Sequence, residues 1–425
     1  MKLSKFVSMP LMSSAAAAKY PAPPPIDAAP GQSGRVRLGF LDGLRGLSAF
    51  YVMLFHMGTP PGLPFGLVLA WEWTHFGRSA VGIFIVLSGY SLMLPVARSA
   101  DGRLRGGFWD YIKRRTLRIL PPYYAAMAII IALLLTAKHL GSAIGDLSHN
   151  VHADDLTVRN VVSHIFLLQN WVDYGRWNGS IESSMWSVSV EWQIYFLFPL
   201  LLLPLWRRFG LVVPIVVGLL IGIVPLMTLS KEHNFVWASP WYVGLFAMGM
   251  AGALISFSPE PRMQRLYQMP PWGTLAAVAF CLFFSIAIIL DFHPLPYGNA
   301  ALCFAVGLDV LVGLATMCLI VFCTRCAHAA SLESDRRLPM VLRLLESSWA
   351  MRLGAFSYSL YLVHIPIVLK LNQWSSGHFS PVPAFAFDLA GIPVVLVAAY
   401  LFHLAFERRF MSEHRARRKV GAVAP

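Results

Sequence analysis

Runs of apolar residues about as long as a bilayer is thick recur down this chain, separated by short polar segments. They occupy residues 40–58, 79–97, 120–137, 187–205, 211–229, 239–257, 273–291, 299–323, 354–371 and 385–406. Each is near the ~20 residues a helix needs to cross a hydrocarbon core of ~30 Å. That core holds no water, so every backbone group must be bonded within its own segment, which a helix achieves. The pattern predicts an all-α polytopic membrane protein of about ten transmembrane helices. One further apolar stretch, Val161 to Trp171, is too short to cross and reads as re-entrant or interfacial.

Composition removes the alternatives. Of 425 residues, 57% are hydrophobic and 13% charged, with mean hydropathy +0.60. A soluble domain carries about 45–50% apolar and about 25% charged residues. A soluble enzyme, a disordered chain and a secreted disulfide scaffold are excluded. Residues 1–38 form a separate zone, with the run Ala15 to Ala18 and the segment Pro21-Ala-Pro-Pro-Pro25. Pro10 interrupts the apolar stretch that a signal peptide would need, so this zone reads as a disordered Ala/Pro-rich cytoplasmic tail. A membrane domain over 39–407 and a basic cytoplasmic tail over 408–425 complete the plan.

The net charge of +13 does not call for nucleic acid, because its location tells more than its sum. With the N-terminus inside, the inner segments hold Arg98, Arg103, Arg105, Lys113, Arg114, Arg115 and Arg118, then Arg207 and Arg208, then Arg262 and Arg265. Arg325, Arg336, Arg337, Arg343 and Arg352 follow, and the chain closes with Arg415, Arg417, Arg418 and Lys419. Outer segments hold only scattered bases such as Lys138, Arg159, Arg176 and Lys231. Basic residues concentrate on the cytoplasmic side, where they also meet anionic lipid headgroups, so both termini are expected inside. The five cysteines lie within or beside apolar runs. Cys323 and Cys326 make one CxxC with no second pair at zinc-site spacing, so buried apolar thiols are expected rather than a metal or redox centre.

Ionisable residues inside spans mark candidate chemistry. In the first span Arg45 and His56 are eleven positions apart. Eleven steps of ~100° return to within about 20° of the start and rise about 16 Å, so both share a face three turns apart. A fixed cation near the inner surface and an imidazole base nearer the outer one suit a site whose demands differ with depth. The same spacing equally fits an Arg45 that pairs with Asp42 and an interfacial His56. Lys113-Arg-Arg-Thr-Leu-Arg118 places Arg114 and Arg118, and likewise Arg115 and Arg118, on shared helix faces able to hold a polyanion such as a nucleotide diphosphate. The alternative is a topogenic, headgroup-binding loop. Ser187, Glu191 and Tyr195 recur every four residues as a polar stripe, which would line a cavity or answer a buried arginine. His364, beside Pro366, is either packing glue or site wall. The outer connection over 138–186 carries Trp171, Asp173, Tyr174, Arg176, Trp177 and Glu182, which would suit either sugar stacking or an interfacial aromatic belt. No inverted repeat of the kind that marks many secondary transporters is visible.

These segments together resemble the acyltransferase family 3 of integral membrane acyltransferases. Leu41 to His56 is similar to the family's opening motif, and Val81-Gly-Ile-Phe-Ile-Val-Leu-Ser-Gly89-Tyr to its second-span motif. Arg115-Thr-Leu-Arg118-Ile-Leu-Pro121, Trp186-Ser-Val-Ser-Val-Glu191 and Ser357-Tyr-Ser-Leu-Tyr-Leu-Val-His364 resemble later motifs, in family order across about 40–410. The resemblance implies an O-acyltransferase in a bacterial inner (plasma) membrane. It would move an acyl group, usually acetyl, from cytoplasmic acyl-coenzyme A to a saccharide or glycolipid hydroxyl, with no tightly bound cofactor or metal. His56 would then act as base or acyl carrier, with Arg45 and Glu191 beside it. Arg115 and Arg118, with Arg114, would hold the donor phosphates, and Asp42, Ser187, Tyr195 and His364 would form the wall. Some members carry a fused extracytoplasmic hydrolase-like domain. Here only a short basic tail follows the last span, so transfer is expected to finish within the membrane domain. The competing class is a transporter or flippase of a (glyco)lipid or acyl donor using the same intramembrane charges, with a catalytically silent receptor a third reading.

Overall fold

A computed structural model describes residues 38–99, 101–140, 156–172, 181–229, 238–296, 299–332 and 337–411. The expected tails over 1–38 and 408–425 fall outside these residues, apart from Leu38 and residues 408–411. So do Asp173, Tyr174, Arg176 and Trp177 of the outer connection.

Among the described residues every regular element is helical and no strand occurs, as a chain solvated by lipid requires. Each apolar stretch contains or overlaps one of ten helices: α1 (Gly39–Met57), α2 (Gly77–Ala97), α3 (Gly107–Leu140), α4 (Trp186–Leu197), α5 (Val212–Leu229), α6 (Tyr242–Phe257), α7 (Trp272–Phe292), α8 (Asn299–Leu332), α9 (Ser357–His378) and α10 (Ile392–Phe402). Six helical segments are long and apolar enough to cross a membrane, and there are eight if two bent pairs each count as one span. The bent pairs are α6 with Pro261–Gln268, at 97°, and Ser348–Ala355 with α9, at 76°. α1, which carries Asp42, Arg45, Ser48 and His56 in 19 residues, is not among them. The chain is an integral membrane protein. The stretch Val161 to Trp171 is broken into Val158–Ile165 and Gln169–Val172.

α6 lies at the centre. Every residue from Tyr242 to Phe257 is buried, the behaviour of a helix that is apolar all round. Its main partner is α2, and α5 and α8 flank it. Lipid tails are as apolar as leucine, so close packing rather than water exclusion must hold such helices together. Two glycines allow it: a Cβ on Gly89 would lie 2.0 Å from the Phe246 carbonyl oxygen, and one on Gly249 would lie 2.0 Å from that of Val86. A second core joins α1, α9 and α10 through Ala49, Met53, Met57, Leu360, Val368, Val395 and Ala399. α1 and α2 also pack together, which brings the two cores side by side.

The thiols need a correction. Cys318, Cys323 and Cys326 are buried, but Cys281 and Cys303 are exposed. An apolar residue of a membrane helix can face lipid as well as protein, and only 22% of the apolar window of α7 is buried.

Candidate active site

Six of the polar residues that stand out in and beside the apolar runs converge on one cavity of 260 Å³ between α1, α2, α3, α4 and α9. α1 brings Arg45, α3 brings Arg115 and Arg118, and α4 brings Ser187, Glu191 and Tyr195. The four-residue spacing on α4 does put all three of its side chains on the cavity face.

The arginines are held differently. Arg45 donates from Nη1 to Asp42 Oδ1 at 2.9 Å and from Nη2 to Ser91 Oγ at 2.5 Å. The pairing with Asp42 one turn back therefore exists, yet the guanidinium still faces the cavity while Asp42 is exposed and outside its lining. Arg115 Nε is buried with no hydrogen-bond partner among the described residues. Arg118 is exposed, and among these residues it has no hydrogen-bond or ion-pair partner. Arg114 departs from expectation. It donates to the Arg105 carbonyl oxygen at 2.8 Å and is not part of the cavity lining.

Among the described residues Glu191 forms no ion pair with an arginine. Its Oε1 accepts hydrogen bonds from Ser88 Oγ and, at 2.5 Å, from the Tyr195 hydroxyl. Three guanidinium groups thus face a cavity whose lining, among the described residues, offers one carboxylate, with its Oε1 already accepting from two hydroxyls. An anion fits that imbalance, and charge-assisted bonds from arginine are the strong ones.

His56 and His364 lie outside the lining of this cavity. They meet each other instead: His364 Nε2 is 3.1 Å from His56 Nδ1, with ring centroids 5.0 Å apart. His56 is half-buried and His364 fully buried. Tyr361 links the two regions. It lines the cavity, its hydroxyl lies 2.5 Å from Ser187 Oγ and donates to the Ser184 carbonyl oxygen at 2.6 Å, and its ring centroid is 5.9 Å from that of His364. α1 therefore carries a cationic end at Arg45 and an imidazole end at His56, with Tyr361 between them.

Several lining residues were not singled out from the sequence. Ser88 and Ser91 sit three apart in an apolar helix and so share a face, a signal that was available. Tyr358 and Tyr361 gave none, because a tyrosine in a span is equally at home in packing. Glu72, His75 and Asp291 could approach a metal, their ligand atoms all lying within 4.8 Å of one another. His75 Nδ1 is 3.2 Å from both carboxylates, however, so its ring nitrogen is already engaged by contacts within the cluster.

The chain is similar in sequence to known proteins. The chain is 22% identical over 392 residues to the O-acetyltransferase OatA of Staphylococcus aureus, covering 85% of this chain and 56% of that protein. It thus spans about half the length of the first curated relatives it matches. It is 24% identical over 424 residues to the acyltransferase MdmB of Streptomyces mycarofaciens, covering 92% of this chain and 95% of that one. Over 173 residues it is 28% identical to a protein of Bacillus subtilis provisionally named peptidoglycan O-acetyltransferase YrhL, covering 38% and 23% respectively. No solved structure matches. Residues 38–404, which contain the cavity and both histidines, match the acyltransferase domain family, and the chain belongs to that family.

Proposed function

We propose that the protein is a membrane O-acyltransferase of the bacterial inner membrane. In this reading it moves an acyl group, acetyl by preference, from cytoplasmic acyl-coenzyme A to a hydroxyl of a saccharide or glycolipid. The observation that carries it is the cavity in which Arg45, Arg115 and Arg118 face one occupied carboxylate. With ten spans and both termini inside, the basic end of α1 opens toward the cytoplasm, where an anionic donor is available. The phosphates sit against Arg115 and Arg118. The long flexible pantetheine arm carries the thioester past Tyr361 toward His56, about 16 Å along α1 from Arg45.

His56 then acts as general base. It takes the proton of the acceptor hydroxyl as that oxygen attacks the thioester carbonyl. The tetrahedral intermediate collapses with loss of the thiolate, which takes the proton back from His56, leaving an ester and free coenzyme A. Glu191 orients a hydroxyl or positive group in the cavity. The relatives support a saccharide acceptor only through the name of the Bacillus subtilis protein.

The test uses purified protein in detergent with labelled acetyl-coenzyme A and saccharide acceptors. Mass spectrometry of envelope glycans from cells with and without the gene identifies the molecule that loses an ester. Acceptor-dependent thioester loss that vanishes in His56→Ala, while donor binding survives, is expected; general-base help is worth about 10²–10⁴ in rate. Donor binding without turnover across the acceptors, and unchanged glycan esters, would favour a transporter instead.

A further inference from the structure

The contacts of the two histidines fix where their protons are. His364 Nδ1 lies 3.0 Å from the Leu360 carbonyl oxygen and 2.8 Å from that of Tyr361. A carbonyl oxygen can only accept, so His364 Nδ1 carries hydrogen. In a neutral ring its Nε2 is then bare and can only accept. That bare nitrogen faces His56 Nδ1 at 3.1 Å. The Val52 carbonyl oxygen also lies 2.9 Å from His56 Nδ1, so two acceptors face this nitrogen and together favour hydrogen on it, shared between Val52 and His364. The lone pair of His56 is left on Nε2, the nitrogen that contacts neither backbone nor partner ring.

We infer that His364 is a positioning residue, which holds His56 as the Nδ1–H tautomer and presents its Nε2 as the basic atom. The inference rests on the reading of His56 as the base. His364 has no exposed surface and cannot itself touch substrate. Among the described residues neither ring contacts a carboxylate, so this pair does with a neutral imidazole what an aspartate does for the histidine of a hydrolase triad. When His56 Nε2 takes the proton of the acceptor hydroxyl, the ring becomes an imidazolium. Its Nδ1–H then already faces two acceptors, the Val52 oxygen and His364 Nε2. On transfer of the Nε2 proton to the departing thiolate the starting tautomer returns, and no proton has crossed between the two rings.

Substitution of His364 separates this role from packing. His364→Gln keeps a carbonyl acceptor near the site of Nε2, whereas His364→Leu fills the space and accepts nothing. The direct measurement is the ¹⁵N spectrum of histidine-labelled full-length protein in detergent, with the His56 signal assigned by its loss in His56→Gln. The expected result is a protonated Nδ1 and a bare Nε2 on His56 in the wild type and in His364→Gln, with a shift toward the Nε2–H tautomer in His364→Leu. Ester content of envelope glycans from cells expressing each variant should fall at least tenfold for His364→Leu and recover substantially for His364→Gln. A wild-type His56 protonated on Nε2, or a tautomer unchanged by His364→Leu, would overturn the inference. Normal ester content in His56→Ala, alongside the expected ¹⁵N pattern, would instead remove the base role and leave the pairing standing.

Discussion

Arg118 reaches the cavity wall with no acceptor among the described residues, so its removal should disturb binding rather than folding. Arg118→Ala should weaken donor affinity by roughly 1.5–3 kcal/mol per lost charged hydrogen bond, about 10–150-fold, with an unchanged melting temperature. Arg118→Lys should recover only part, because a point charge replaces a planar fork. Isothermal titration with acetyl-coenzyme A checks both, and equal affinity in all three proteins would remove Arg118 from the donor site. Glu182, ahead of α4, offers a second test. Burial pushes its carboxyl up to about 7, against the opposing hydrogen bonds from Ser184, whose carbonyl oxygen in turn holds Tyr361. A carboxyl with a raised folded pKa binds its proton more tightly folded than unfolded. Its ionisation therefore takes stability away as pH rises from about 4.5 to 7. Glu182→Gln should be the more stable protein at pH 8, by up to about 3 kcal/mol, and nearly equal to the wild type at pH 5. Thermal unfolding in detergent at the two pH values reads this directly.

At the scale of elements, the crossing of α2 and α6 places the second-span residues of the site. Ser88 and Ser91 face the cavity from α2, while Gly89 between them lets the Phe246 backbone approach. Gly89→Val must push a carbonyl oxygen out of the way. The expected cost is about 1–3 kcal/mol or more, read as a lower unfolding temperature, together with weaker donor binding as the serines move. An unchanged melting temperature would mean that the two helices do not approach this closely. The π-helical turn Phe198–Leu202 lets α4 run on into Leu203–Phe209. The stripe Ser187, Glu191, Tyr195 ends before this turn, because the next positions at the same spacing are Pro199 and Leu203.

For the whole molecule, the asymmetry of basic residues leads to an orientation that can be measured. In a background with all five cysteines replaced, Arg103→Cys should react with an impermeant maleimide only after the membrane is opened. His75→Cys should react in intact spheroplasts. Reversed labelling would invert the topology and move the arginine cavity to the outside, where cytoplasmic coenzyme A could not enter it. The same result would remove the proposed donor while leaving family membership untouched.

Much of this was legible in the one-dimensional pattern. Apolar run length decides helix against strand, because only intrasegment bonding satisfies the backbone in lipid. All ten runs, 40–58 to 385–406, overlap helices, of which six, or up to eight with the bent pairs, are long and apolar enough to span. The face shared by Ser187, Glu191 and Tyr195 followed from a period of 3.6, which is local; the same period expected Arg45 and His56 on one face, yet Arg45 lines the cavity and His56 does not. Depth and partners were not local. The sequence alone could not tell that Cys281 and Cys303 look away from the protein interior while α6 is buried on every side, since apolar residues suit lipid and protein interior alike. It placed Arg114 beside Arg118 but not its side chain, which follows the Arg105 carbonyl oxygen. It named His56 and His364 separately, 308 positions apart. Only the packing of α9 against α1 brings the two rings within hydrogen-bonding distance, because which nitrogen faces which acceptor is set by how two helices dock and not by the residues along either one.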